Sequence, residues 1–237
     1  MARTWMQNLT KTFYIARKDA KIYFFKWPNV TYGLFLPAII YLAFSAGGSA
    51  DISSTIPGLV AMAALFGARA IESVALPLER AKGIFDRSLA VLISLTTIIV
   101  GKALAGFFLV RQYPLSIRLL PYHSLELPLL NRSFSFSVLG VGISASFRDI
   151  PEAMLPTTLL CVLMVFLGGV LTPIAAMPNF LQLTAYLLPL TYAVDMLRQA
   201  MTGQIITQML LLDMAVLMVF SVFFFVLAVL TLKRTLH

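Results

Sequence analysis

The sequence predicts an all-α, polytopic membrane protein of about six transmembrane helices, and three observations carry that reading. Of its 237 residues 59% are hydrophobic and only 12% charged, about half the charge of an ordinary soluble domain. Apolar runs recur along the whole length, separated by short charged or proline-bearing links. The cations, 18 Lys and Arg against 10 acidic residues, cluster mostly beside those runs. No single soluble core of this size hides so much apolar surface, whereas lipid accepts it on the outside of a bundle. The length leaves no room for a large soluble domain, so residues 1–237 are read as one transmembrane domain.

Residues 1–28 interleave Trp5, Phe13, Tyr14, Tyr23, Phe24, Phe25 and Trp27 with lysines and arginines. Cations that reach lipid phosphates and rings at headgroup depth predict an amphipathic helix lying at the cytoplasmic face. The same basic stretch holds no long apolar core, so no cleavable signal peptide is evident. After Pro28, a first span is expected over residues 30–46, interrupted by Pro37, and then a polar turn containing Asp51. Pro57 and Gly58 open a second span over residues 56–76. Residues 77–87, PLERAKGIFDR, form a charged but helix-compatible loop, and a third span runs from residue 89 to at least 110.

Residues 111–133 break the pattern. Arg111, Arg118, His123, Glu126 and Arg132 occur there with Pro114, Pro121 and Pro128. An apolar stretch at 134–147 follows, marginal in length for a full crossing. A polar link at 148–152 leads to a span at 153–171. Residues 172–208 are apolar but broken by Pro173, Pro178 and Pro189, which excludes one straight helix. The last span, at 209–232, ends in Lys233 and Arg234. The N-terminal arm, the loop at 77–87 and the tail share the cation-rich side if the spans are even in number. That places both termini in the cytoplasm and the chain in the cell membrane. The segment 111–133 then faces outward with three arginines against one glutamate, contrary to the rule.

Chemistry-bearing patterns are few. Cys161 lies within an apolar run and reads as a small core residue, and the 11 methionines are scattered as packing residues. His123 and His237 have no nearby cysteine or paired carboxylate to complete a metal site. Gly101-Lys102 is followed by Ala103 and lacks the earlier glycine of a phosphate-binding loop, so no ATP binding is expected on this chain. Arg69 and Glu72 stand at i, i+3 inside the second span, where charges are costly. They are the candidates for lining a translocation path.

Residues 166–203, FLGGVLTPIAAMPNFLQLTAYLLPLTYAVDMLRQAMTG, resemble the signature of type-2 ABC exporter permeases, the group exporting drugs, polysaccharides and lipid-linked sugars. The matching positions are Gly168, Gly169, Pro173, Pro178, Pro189, Leu190, Thr191, Tyr192 and Arg198. IPGLVAMA at the second span, ERAKGIFDR in the loop, and Gly101-Lys102 in the third span look like further family features. The departure is 111–133, where the family continues span three and returns through an apolar span four. Either an extracellular insertion or an out-of-frame stretch accounts for it.

The resemblance implies a permease subunit of an ATP-driven exporter, with ATP held and hydrolysed on a separate ABC ATPase and no cofactor or catalytic residue on this chain. A second permease subunit, identical or related, would complete the translocation route. Glu79, Arg80, Lys82, Gly83, Asp86 and Arg87 would couple to the ATPase together with the N-terminal helix. Residues 172–208 would form a re-entrant helix pair acting as an outer gate, with Gly168, Gly169, Pro173, Pro178, Pro189, Thr191, Tyr192 and Arg198. An ion-driven secondary transporter, a membrane-embedded enzyme and a defective exporter subunit are the rival readings. Broken spans suit the first, but no internal repeat accompanies them. The substrate is not legible.

Overall fold

The computed structural model describes residues 2–23, 35–46, 52–85, 87, 94–112, 126–147, 149–202 and 207–236. Among them every regular element is helical. Helix α1 spans Ala2–Tyr23. It buries Thr12, Ala16 and Asp19, spaced by four and three residues, and exposes Phe13, Tyr14, Arg17, Lys18 and Lys21. That spacing keeps one face against the bundle.

Helix α2, Leu36–Ala46, is short; α3, Ile52–Ala81, is long and runs through Pro57 and Pro77. Its end is a turn at Lys82 and Gly83, where Gly83 has φ +65° with no atom within 4 Å of a would-be Cβ. Glycine serves the backbone there and not the packing. Helix α4 is Leu95–Gln112, α5 is Glu126–Ser144 and α6 is Ile150–Leu167. A single 3₁₀ turn at Ile174–Ala176 leads to α7, Asn179–Ala185, and α8, Pro189–Thr202. Helix α9 is Thr207–Leu236.

Helix α5 is the hub, packed on α3, α4 and α9. One apolar core joins Met62, Leu65 and Phe66 of α3 to Phe136 and Leu139 of α5, Met164 of α6 and Leu190 and Leu197 of α8. A second, at the other end, joins Leu76, Phe85, Ile98, Ile99, Val141, Ala228 and Leu232. Hydroxyls and amides fasten α5 to α9. Asn131 Nδ2 donates to the Met214 carbonyl at 3.0 Å, Ser135 Oγ donates to the Leu217 carbonyl at 2.9 Å, and Ser135 meets Ser221 at 2.6 Å. Small polar side chains of this kind hold helices together where lipid removes the hydrophobic drive between them.

The outward faces are the reverse of a soluble protein. Leu155, Leu159 and Phe166 on α6, and Val219, Phe223 and Leu230 on α9, are exposed, a surface that suits lipid. Two helices among the described residues, Ile150–Leu167 and Gln208–Arg234, are long and apolar enough to cross a membrane. The count rises to three if the pair Asn179–Ala185 and Pro189–Gln199, bent by 89°, is one broken span. The all-helical membrane class stands, while among the described residues the span count does not reach about six, α3 and α4 contributing the shorter apolar stretches Thr55–Gly67 and Leu95–Ala105.

The anomalous segment is also partly helix. Helix α4 continues to Gln112 and α5 starts at Glu126, so Arg132 and Ser133 lie in the packed interior and not in an external loop. Pro128 is tolerated there because the first turn of a helix does not need its N–H. Residues 113–125, with Pro114, Arg118, Pro121 and His123, lie outside the described residues.

Candidate functional site

Four charges close into a ring where α1 meets α3 and α4. Lys102 Nζ stands 3.0 Å from Asp19 Oδ2 and 2.8 Å from Glu79 Oε2; Lys18 Nζ stands 3.1 Å from Asp19 Oδ1 and 2.5 Å from Glu79 Oε1. The side chains of Lys102 and Asp19 have 0% exposure and that of Glu79 has 7%. Two cations alternate with two anions, so the ring is neutral. That is the arrangement in which buried charges repay part of their desolvation. Burial by itself would raise the Glu79 carboxyl, but Lys102 and then Lys18, by charge and hydrogen bond, hold it below the ordinary carboxylate range.

Beside Lys102, Gly101 lets α1 lie directly on α4. A Cβ at Gly101 would stand 2.8 Å from Ile15 Cγ2 and 3.1 Å from the Thr12 carbonyl oxygen. The pair Gly101-Lys102 therefore supplies both the groove and the charge that seat α1.

Arg80, the next residue after Glu79, points the opposite way. Its Nη1 donates to the Phe147 carbonyl at 2.8 Å and its Nη2 to the Ala145 carbonyl at 3.1 Å, beyond the end of α5. Its guanidinium also lies 5.6 Å from the Phe85 ring centroid. Of the remaining loop residues, Lys82 and Arg87 are exposed, with Ile84 between them, and Gly83 is half-buried. Asp86 lies outside the described residues. Of the five described loop positions, Glu79 and Arg80 form a buried or bonded pair at the base, Lys82 and Arg87 an exposed rim, and Gly83 lies between.

At the far end, α6 stops at Gly168, whose N–H donates to the Met164 carbonyl at 2.6 Å. Gly169 follows at φ +75°, a conformation that favours glycine. Arg198 Nη2 donates to the Gly169 carbonyl at 2.6 Å, and its Nη1 stands 3.9 Å from Asp195 Oδ1. Pro173 and Pro178 precede the 3₁₀ turn and α7, and Pro189 opens α8. Thr191 Oγ1 donates to the Ala185 carbonyl at 2.6 Å and Tyr192 Oη to the Tyr186 carbonyl at 2.8 Å. Both bonds reach back from α8 across the 89° bend to the end of α7, where the Ala185 carbonyl also accepts from the Leu188 N–H at 3.0 Å. Gln199 Nε2 donates to Asp213 Oδ2 at 3.0 Å, tying α8 to α9. The sequence-predicted residues of this segment thus meet at two junctions, Gly169 and Arg198 where α6 meets α8, and Thr191 and Tyr192 at the bend between α7 and α8.

Arg69 and Glu72 fall within α3, and their side chains lie outside the described residues. Sequence reading missed Lys18, Asp19 and the partner role of Lys102. The signal was present: Asp19 is the sole acid in the basic first 28 residues, and Lys102 is the sole charge between Arg87 and Arg111. Their pairing spans 83 positions, which no local pattern shows.

Residues 5–202 match the family described as ABC-2 type transporter. No individual curated protein matches the chain. With most of its length matched, its apolar outward faces and its bent helix pair, the chain belongs to the ABC-2 type transporter family and is an ABC permease subunit of the membrane.

Proposed function

We propose that this chain forms the translocation path of an ATP-driven exporter, as a dimer of permease subunits above a separate pair of ABC ATPase subunits. The observation that carries the reading is the bracing at the base of the 77–87 loop. Glu79 fastens the end of α3 to α1 and α4 through the charge ring, while Arg80 fastens it to the carbonyls beyond α5. A push on the exposed rim, Lys82, Ile84 and Arg87, is then shared at once by α1, α3, α4 and α5. Gly83 supplies the turn that presents the rim, and Asp86 completes the charged run.

In this reading α1 lies at the cytoplasmic surface of the cell membrane, both termini are cytoplasmic, and the bent pair α7–α8 is a re-entrant gate at the outer side. Closure of the ATPase pair on ATP moves the braced helices as a body. Arg69 and Glu72 lie along the route. Export follows only if cargo binds the inward and outward states differently.

The test is affinity purification of the tagged chain from native membranes, followed by assay of ATP hydrolysis in the eluate. The wild-type chain should recover an ATPase, and the exposed double variant Lys82→Glu, Arg87→Glu should lose most of it while inserting normally. Stable insertion with no ATPase recovered by either form would contradict the exporter reading.

A further inference from the structure

Arg132 is a buried cation outside both sites. It sits in the second turn of α5 at 1% exposure, among the largest fully buried side chains described. None of Nε, Nη1 and Nη2 has a hydrogen-bond partner among the described residues. Its neighbours in sequence are satisfied: Asn131 and Ser135 bond across to α9. One turn on, Phe136 belongs to the apolar core with Met62 and Leu65, so the guanidinium shares a face with hydrocarbon.

A guanidinium stays charged at any pH a cell offers and carries five N–H donors in a rigid fork. Burying it unpaired is among the most costly things a fold does. The contrast within this molecule is direct, because Lys102, equally buried, has two carboxylates.

We infer that Arg132 is the anchor of an occluded oxyanion site between α5 and the helices packed on it, taking a phosphate ester or a comparable anionic group of a transported or bound lipid-like molecule. The planar fork matches two oxygens of a phosphate or carboxylate side by side. At 1% exposure the site is closed, and it is reached when α5 parts from its neighbours. This rests on the transporter reading for the existence of a second, open state, but not on the ATPase: thermal exchange between states suffices for binding. Failure of the site and failure of the exporter reading are therefore separable.

The experiment uses the purified full chain in neutral maltoside micelles, with thermal unfolding followed against probe concentration. One arm titrates dihexanoyl phosphatidic acid and the other inorganic phosphate. Saturable stabilisation is expected with the lipid probe, weakened about 10- to 100-fold by Arg132→Met, the loss associated with one charge-assisted pair. Arg132→Lys, which keeps the charge without the fork, should fall between. Saturation by the lipid alone assigns a lipid-borne phosphate; saturation by both probes assigns an oxyanion in either form. Without probe, Arg132→Met should melt no lower than wild type, because it removes an unpaired charge. Equal responses of wild type and Arg132→Met to both probes would overturn the site. So would a probe-free Arg132→Met that melts well below wild type, since the guanidinium would then be paired within the free chain.

Discussion

Lys102 and Arg132 show two fates of a buried cation in one bundle. Lys102 stands in a closed ring with Asp19, Lys18 and Glu79, where each carboxylate meets both lysines. Removing one member leaves its partners charged in a dry place. Lys102→Met is therefore expected to destabilise the chain by about 3–5 kcal/mol, read as loss of denaturation midpoint in detergent. The pH dependence has a definite sign. Because the Glu79 carboxyl is held below its ordinary value, its contribution is complete above the unfolded value and lost as pH falls through the folded one. The stability gap between wild type and Glu79→Gln should stay level from pH 7 to about 5 and shrink below about 4.5. A gap that grew with acidification would contradict the pairing.

At the scale of elements, two glycines set contacts that no larger residue allows. A side chain at Gly101 would meet Ile15 at 2.8 Å, so Gly101→Val should lift α1 off α4 and open the ring together with it. Hydrogen exchange is the measure: α1 amides should exchange at least about tenfold faster, with α9 unchanged. At the end of α6, Gly169 combines φ +75° with the bond from Arg198. Gly169→Ala should cost about 1–2 kcal/mol through backbone strain, and Arg198→Gln should loosen the α6–α8 junction without unfolding α9. Helices α6 and α9 were legible as long apolar runs, and the bend was legible because Pro173, Pro178 and Pro189 cannot share one straight helix. Helix α5 was less so. Its polar beginning resembled an external loop, since Asn131 and Ser135 reveal their buried role only when α9 supplies the carbonyls.

For the whole molecule, composition sufficed for the membrane class, and ordered motifs from Pro57 to Arg198 sufficed for the family that matches residues 5–202. The number of crossings was not fixed in the same way: among the described residues two helices, or three counting the bent pair, are long and apolar enough to cross. Nor was the division of labour within the 77–87 loop: Glu79 and Arg80 are as charged as Lys82 and Arg87 in the sequence, yet they face inward to α1 and to the end of α5. Helices α1, α3, α4 and α5 are thereby joined at one end, and we place the reception of the ATPase stroke on the exposed rim of that end. A single introduced cysteine tests this directly, because Cys161 is buried and leaves little background. A photo-crosslinker placed by Lys82→Cys, on the chain purified with its ATPase, should capture the ATPase, while the same label placed by Leu183→Cys on α7 should capture none. Capture from position 183 and not from position 82 would contradict the account.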